Sequence, residues 1–275
     1  MHSLSVDYSK LDRPEVVKRL FAPRLEPVGG GAGEGGGGLD HAIEVEAGIR
    51  IGCRFHLAGP EDPNILFFHG NGEIAVDYDD AGPDFVAHGM SLLAVDYRGY
   101  GRSDGIPTAT NLLADAHAIF REIRSWLREQ GRTGPLLVMG RSLGSAPALE
   151  LAAEHGADID GLIIESGFAF TMPLLECIGV DTAALGLTES DGFRNMVKIG
   201  RYTKPTLIIH ARNDRIIPVR DAETLQIQSP ARGKEFQIVP GADHNNIMAV
   251  TGKLYFQVIG RFAARIARAR KRPRR

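Results

Sequence analysis

From Ile43 onward the chain alternates two kinds of apolar pattern. One is the short continuous run: Ile65–Phe68, Ser91–Val95, Leu136–Met139, Leu162–Ile164, Thr206–Ile209 and Glu235–Val239. Such runs, bounded by turn residues, predict strands buried on both faces, as in a parallel sheet. The other is a stripe at helical spacing. Its clearest case is Asn111–Gln130, where Leu112, Leu113, Ala116, Ile119, Phe120, Ile123, Trp126 and Leu127 share one face. Asn111 is the expected cap and Gly131 the expected stop. Ahead of this array, Ile43–Glu46 and Ile49–Leu57 alternate around Ala47-Gly48 and predict a hairpin. Strand–helix–strand repetition with right-handed crossovers builds a mostly parallel, doubly wound α/β sheet with helices on both faces.

The pattern divides the chain into an arm (1–42), one α/β domain (43–264) and a tail (265–275). The arm carries Pro14, Pro23 and Pro27, and reads as a short helix plus an extended stretch lying on the body. Its glycine run at 29–38 is expected to be flexible. No Lys-Ser/Thr follows it, so it is not a phosphate-binding loop. Residues 167–203 interrupt the alternation with Phe168, Phe170, Met172, Leu174, Leu175, Ile178 and Phe193. They form either a small cap over a site or a connecting helix pair packed on the core.

Composition changes this picture only at the ends. With 275 residues, 43% of them hydrophobic, the chain can bury a core without staples. Cys53 and Cys177, its two cysteines, set up no disulfide framework, which suits a reducing, cytoplasmic setting. The first residues lack an apolar core for a secretion signal, and no run approaches a membrane span. Residues 261–275 hold eight cations and no acid; without them the net charge of −2 would be −10. From Ala263 on, no aromatic residues are interleaved for base stacking, so nucleic acid is not an expected partner. A weak contact with an anionic surface is the most the tail suggests.

The chemistry lies at strand ends. Gly140-Arg141-Ser142-Leu143-Gly144 fits G-x-S-x-G between the run Leu136–Met139 and the helical Ser145–Glu154, which makes Ser142 the expected nucleophile. A serine hydroxyl needs a base, and His244 follows the run Glu235–Val239. An orienting acid is expected at Asp214, just beyond Thr206–Ile209, in the order Ser…Asp…His; Glu165 is its rival. Two amides must meet the oxyanion: that of Leu143, and that of Asn71 in His69-Gly70-Asn71-Gly72. His69 is read as a brace for that loop. Phe168, Phe170 and Met172 are the expected lining of an acyl pocket. The histidines show no ligand spacing and there is no H-E-x-x-H, so neither metal nor cofactor is expected.

The blocks Phe68–Gly72, Asp96–Ser103, Gly140–Ser145 and Gly241–Asn245 together resemble the α/β-hydrolase superfamily. In particular they resemble its small-lid bacterial serine hydrolases related to acyl-protein thioesterases. Ala211 and Asp243 stand where that family often has glycine. The resemblance implies that Asp96–Gly101 forms a turn bracing the site. With the motifs, it points to a serine hydrolase of carboxylic esters acting through an acyl-enzyme, and a cap as short as 167–203 leads us to expect short to medium acyl chains. An acyl-thioesterase or acyltransferase would use the same residues, and a non-catalytic binding protein on the same fold is the reading from another class.

Overall fold

The computed structural model describes residues 7–27 and 37–271, so most of the glycine run and the last four residues lie outside it. Eight strands form one sheet: β1 (Leu39–Glu46), β2 (Ile49–His56), β3 (Asn64–Phe68), β4 (Ser91–Val95), β5 (Leu136–Arg141), β6 (Gly161–Glu165), β7 (Thr206–Ala211) and β8 (Lys234–Val239). Their spatial order is β1-β2-β4-β3-β5-β6-β7-β8. The β1–β2 hairpin and the β2–β4 pair are antiparallel, and the remaining ladders are parallel. This is the mostly parallel α/β sheet that the strand–helix alternation predicts.

Strand side chains alternate between two faces, and each face has its own core. Leu66, Phe68, Leu93, Val95 and Val138 join the first, packed under α3 (Ala109–Glu129) and α4 (Ser145–Glu154). Ile65, Phe67, Leu92, Ala94 and Met139 join the second, under α2 (Gly82–Ala87) and α9 (Lys253–Lys271). The helix α3 buries the expected stripe, with Trp126 half-buried against Phe55. Its cap is one turn-corner earlier than expected. The Thr108 hydroxyl accepts the Asn111 amide at 3.0 Å, so Asn111 sits inside the helix and Thr108 satisfies the orphan donor. At the open edge β8 is only partly buried, unlike the central strands, because nothing pairs beyond it.

The arm is integrated with the body. Its helix α1 (Pro14–Leu20) buries Val16 and Leu20, and Leu11 and Phe21 on either side are also in the first core. Past the helix, the Glu26 amide donates to the Gly101 carbonyl at 3.2 Å, and the Gly101 amide donates to the Arg24 carbonyl at 2.8 Å. At the other end α9 runs to Lys271, through the expected start of the tail, because Ile266 is still core. Arg265, Arg270 and Lys271 pair with Glu235, Asp160 and Glu61. No helix among the described residues is long and apolar enough to cross a membrane.

Segment 167–203 is built mostly as connecting structure. It contains α5 (Thr171–Cys177), a short 3-10 turn at Glu189–Asp191 and α6 (Asn195–Ile199). Leu174, Leu175, Phe193 and Ile199 belong to the first core. The buried Lys198 of α6 reaches Glu150 of α4 at 2.7 Å, anchoring the segment from beneath. The arm clasps it from outside through Lys10–Asp191 and a 2.8 Å bond from Arg13 to the Leu185 carbonyl.

Candidate active site

The sheet delivers three side chains to one edge. Ser142 follows β5, Asp214 lies three residues past β7, and His244 lies in the loop after β8. All are strand C-termini, where ligands of open α/β sheets bind. The Ser142 hydroxyl donates to His244 Nε2 at 2.8 Å, and His244 Nδ1 donates to Asp214 Oδ2 at 2.6 Å. Each of the three residues is buried.

Local sequence explains the serine's posture. Ser142 has φ of 51°, a left-handed conformation that costs a residue with a Cβ on the order of 1–3 kcal/mol. The turn is held by close packing that only glycine allows. A Cβ on Gly140 would lie 2.2 Å from the Gly144 carbonyl oxygen, and one on Gly144 would lie 2.1 Å from that of Phe68. The elbow is thereby pressed against the loop that carries Asn71. Leu143 is the second residue of the 3-10 turn Ser142–Gly144 that leads into α4, so its amide is among the N-terminal donors without an intrahelical acceptor.

Asp214 is prepared as a carboxylate. Its Oδ1 accepts the amides of Ile216 and Ile217 at 2.9 and 2.8 Å. Burial alone would raise its pKa, but the His244 hydrogen bond and charge, with these two amides, hold it below the ordinary value. Beneath it the buried His210 donates from Nε2 to the Ile217 carbonyl at 2.8 Å and braces the same loop. Burial lowers the His210 pKa. Glu165, the rival acid, is turned elsewhere: it accepts the Tyr255 hydroxyl and lies 3.3 Å from Arg141 Nε. Burial raises its pKa.

The Asn71 loop is fixed by its side chain. Asn71 Oδ1 accepts the Ala22 amide of the arm at 2.8 Å and the Tyr100 hydroxyl at 2.7 Å. Arg24 donates to the Gly72 carbonyl at 3.2 Å. His69 lies behind, its Nδ1 donating to the Gly70 carbonyl at 2.8 Å and its Nε2 3.2 Å from Asp96. Tyr97 donates to the His69 carbonyl at 2.5 Å. The Asp96–Gly101 turn therefore braces this loop through both tyrosines, as the family resemblance implies.

The expected acyl lining comes apart. Phe168 is fully buried in the first core, 5.8 Å from the Phe193 ring, and its carbonyl accepts the Asn195 side chain. It therefore offers no surface to a substrate. Phe170 is 38% exposed and Met172 half-buried, so only these two can meet a ligand. The periodicity of an apolar segment does not say which of its faces is core. Neither the cavity of about 320 Å³ among Asp40, Arg54, Asp96 and Arg102 nor that of about 120 Å³ among Val239, Ile247 and Leu254 touches Ser142. Among the described residues no cluster of His, Cys, Asp or Glu is placed to hold a metal ion.

Two residues at this edge escape sequence reasoning. Arg141 occupies a variable position of the motif, yet its guanidinium reaches Glu73, Glu165 and the His244 carbonyl. His210 directly follows the run Thr206–Ile209, and no motif marks it.

Comparison with known proteins agrees with this architecture. A family model described as "Serine aminopeptidase, S33" matches residues 59–180. An uncharacterized protein of Mycobacterium tuberculosis, Rv2307c, is 29% identical over 254 residues, covering 90% of this chain and 87% of its own. Alpha/beta hydrolase domain-containing protein 17B of Homo sapiens is 33% identical over 221 residues, covering 78% of this chain and 70% of its own. Among solved structures, the Pyrococcus furiosus esterase Pf2001 superposes with a TM-score of 0.71 at 18% identity, over 90% of this chain and 98% of that one. Fold, elbow and relatives converge, and the chain belongs to the α/β-hydrolase superfamily.

Proposed function

We propose that the protein is a serine hydrolase of carboxylic esters with short to medium acyl chains, acting through Ser142, His244 and Asp214. The observation that carries this reading is the unbroken line of hydrogen bonds from the Ser142 hydroxyl through both nitrogens of His244 to Asp214. Ser142 Oγ attacks the acyl carbon while His244 Nε2 takes its proton. Charge then develops on the carbonyl oxygen, met by the amides of Leu143 and Asn71. His244 returns the proton to the departing alcohol, leaving an acyl-enzyme that water cleaves by the same path. Asp214 stays ionised and stabilises the imidazolium. Phe170 and Met172, neither of them fully buried, meet the acyl chain in this reading. Two free cysteines suit a reducing, cytoplasmic setting.

The test is a turnover panel of p-nitrophenyl esters of increasing chain length, acyl-thioesters and alanine p-nitroanilide, with wild type beside Ser142→Ala. Esters should turn over fastest, and the variant should lose on the order of 10⁴-fold or more. Preferential thioester turnover would move the assignment to a thioesterase on the same residues. Retention of activity in Ser142→Ala would refute it outright.

A further inference from the structure

We infer that Arg141, the residue before the nucleophile, is a positioning residue that holds the base and the oxyanion loop in one fixed relation. The inference rests on the serine-hydrolase reading above and concerns what aligns its parts. Nη2 donates to the backbone carbonyl of His244 at 2.8 Å. Nη1 donates to Glu73 Oε1 in the loop after β3. Nε faces Glu165 Oε1 at 3.3 Å, at the end of β6. One planar group thus ties two loops and the end of β6 at the edge where Ser142 emerges.

The tie continues to the oxyanion loop itself. Glu73 Oε2 accepts the Gly70 amide and the Tyr78 hydroxyl, each at 2.7 Å. Gly70 directly precedes Asn71, and a Cβ on it would lie 2.3 Å from Arg141 Nη1. The Nη1 end of the guanidinium therefore lies against the backbone just before Asn71. On its other side it holds the very residue whose imidazole receives the serine proton. The chain of contacts His244–Arg141–Glu73–Gly70 sets the distance between general base and oxyanion donor through groups that are nearly all buried.

Arginine is required because the three acceptors lie in different directions. Its fork of five donors serves them together, whereas the ammonium of a lysine is a point charge that keeps the ion pair but not the span. A merely structural arginine would make the protein less stable when replaced and leave turnover by the folded fraction intact. A positioning arginine would lower kcat in folded protein, since misplacing a catalytic group by about 1 Å costs about 100-fold.

The experiment compares wild type, Arg141→Lys and Glu73→Gln. It reads kcat and KM for p-nitrophenyl acetate, the pH dependence of kcat/KM, fluorophosphonate labelling of Ser142, and urea unfolding. Arg141→Lys should lose about 10- to 100-fold in kcat with KM changed less than about threefold. The pH profile of its kcat/KM should also differ from that of the wild type. Glu73→Gln leaves the arginine in place and shows the same split to a smaller degree; it decides the matter if Arg141→Lys does not fold. Wild-type kcat in either folded variant, or a loss confined to KM, would overturn the inference. A wild type that neither turns over esters nor takes the label at Ser142 would instead refute the reading beneath it.

Discussion

Replacing Asp214 by asparagine removes no atoms from the packing, so its effect isolates the proton. The structure dictates how the new amide must sit. Oδ1 accepts two backbone amides, from Ile216 and Ile217, and an NH₂ group there would meet two donors. The asparagine oxygen therefore takes that place, and the NH₂ faces His244 Nδ1 across the former 2.6 Å contact. Nδ1 must then accept, which puts the ring proton on Nε2, pointing at the Ser142 hydroxyl. A base already carrying its proton cannot take another. The Asp214 side chain is 0% exposed, so no water can offer an alternative partner. The expected loss is about 10⁴-fold in kcat, or about 5 kcal/mol of barrier, without loss of fold. Glu165→Gln makes the contrast, because Glu165 touches Tyr255 and Arg141 but not His244. Its loss should stay within about tenfold. The assay is steady-state hydrolysis of p-nitrophenyl acetate, with circular dichroism and urea unfolding as controls. A folded Asp214→Asn that keeps a tenth or more of the activity, or a larger loss in Glu165→Gln, would refute the assignment of the acid.

Two further outcomes follow from burial. Phe168→Ala should cost about 3–5 kcal/mol in urea unfolding, while Phe170→Ala should cost less than about 1 kcal/mol and instead shift the acyl-chain optimum. Unchanged chain-length profiles in Phe170→Ala would remove it from the pocket. Glu150 is buried, which alone would raise its pKa, yet the His117 hydrogen bond and Lys198 bring it from 4.5 down to about 2. A folded pKa below the unfolded one contributes stability above about pH 4.5, lost as pH falls towards 2, up to about 3 kcal/mol. Burial of Lys198 pulls the other way and reduces the net value of the pair. Acid unfolding of Glu150→Gln should lack this component, and an unchanged acid limb would contradict it.

The sheet was legible because continuous apolar runs between turn residues have few other uses, and the fully buried strands β3 to β7 match them closely. The elbow motif around Ser142 was legible for a related reason. Gly140 and Gly144 are demanded by contacts of about 2 Å, so the motif records a steric fact. Strand order alone put His244 and Asp214 at the same edge as Ser142, where the fold brings the three within hydrogen-bond distance. What stayed hidden depended on which way a side chain turns. Phe168 and Phe170 are two residues apart, yet one is core and the other is exposed. Arg141 was invisible because its partners, Glu73, Glu165 and the His244 carbonyl, are brought together only by the fold. The helix cap moved from Asn111 to Thr108 because both can cap and only backbone geometry chooses.

The arm's hold on Asn71 carries a thermodynamic obligation. The Ala22 amide and the Tyr100 hydroxyl both point at Asn71 Oδ1, and Arg24 holds the next carbonyl. Docking of the arm and ordering of that loop are therefore linked equilibria, and linkage is reciprocal. Any ligand that binds more tightly to the ordered loop than to a loosened one must, by the same factor, hold the arm down. A covalent fluorophosphonate on Ser142, with its oxygen against the Asn71 amide, should slow proteolytic cleavage near Ala22.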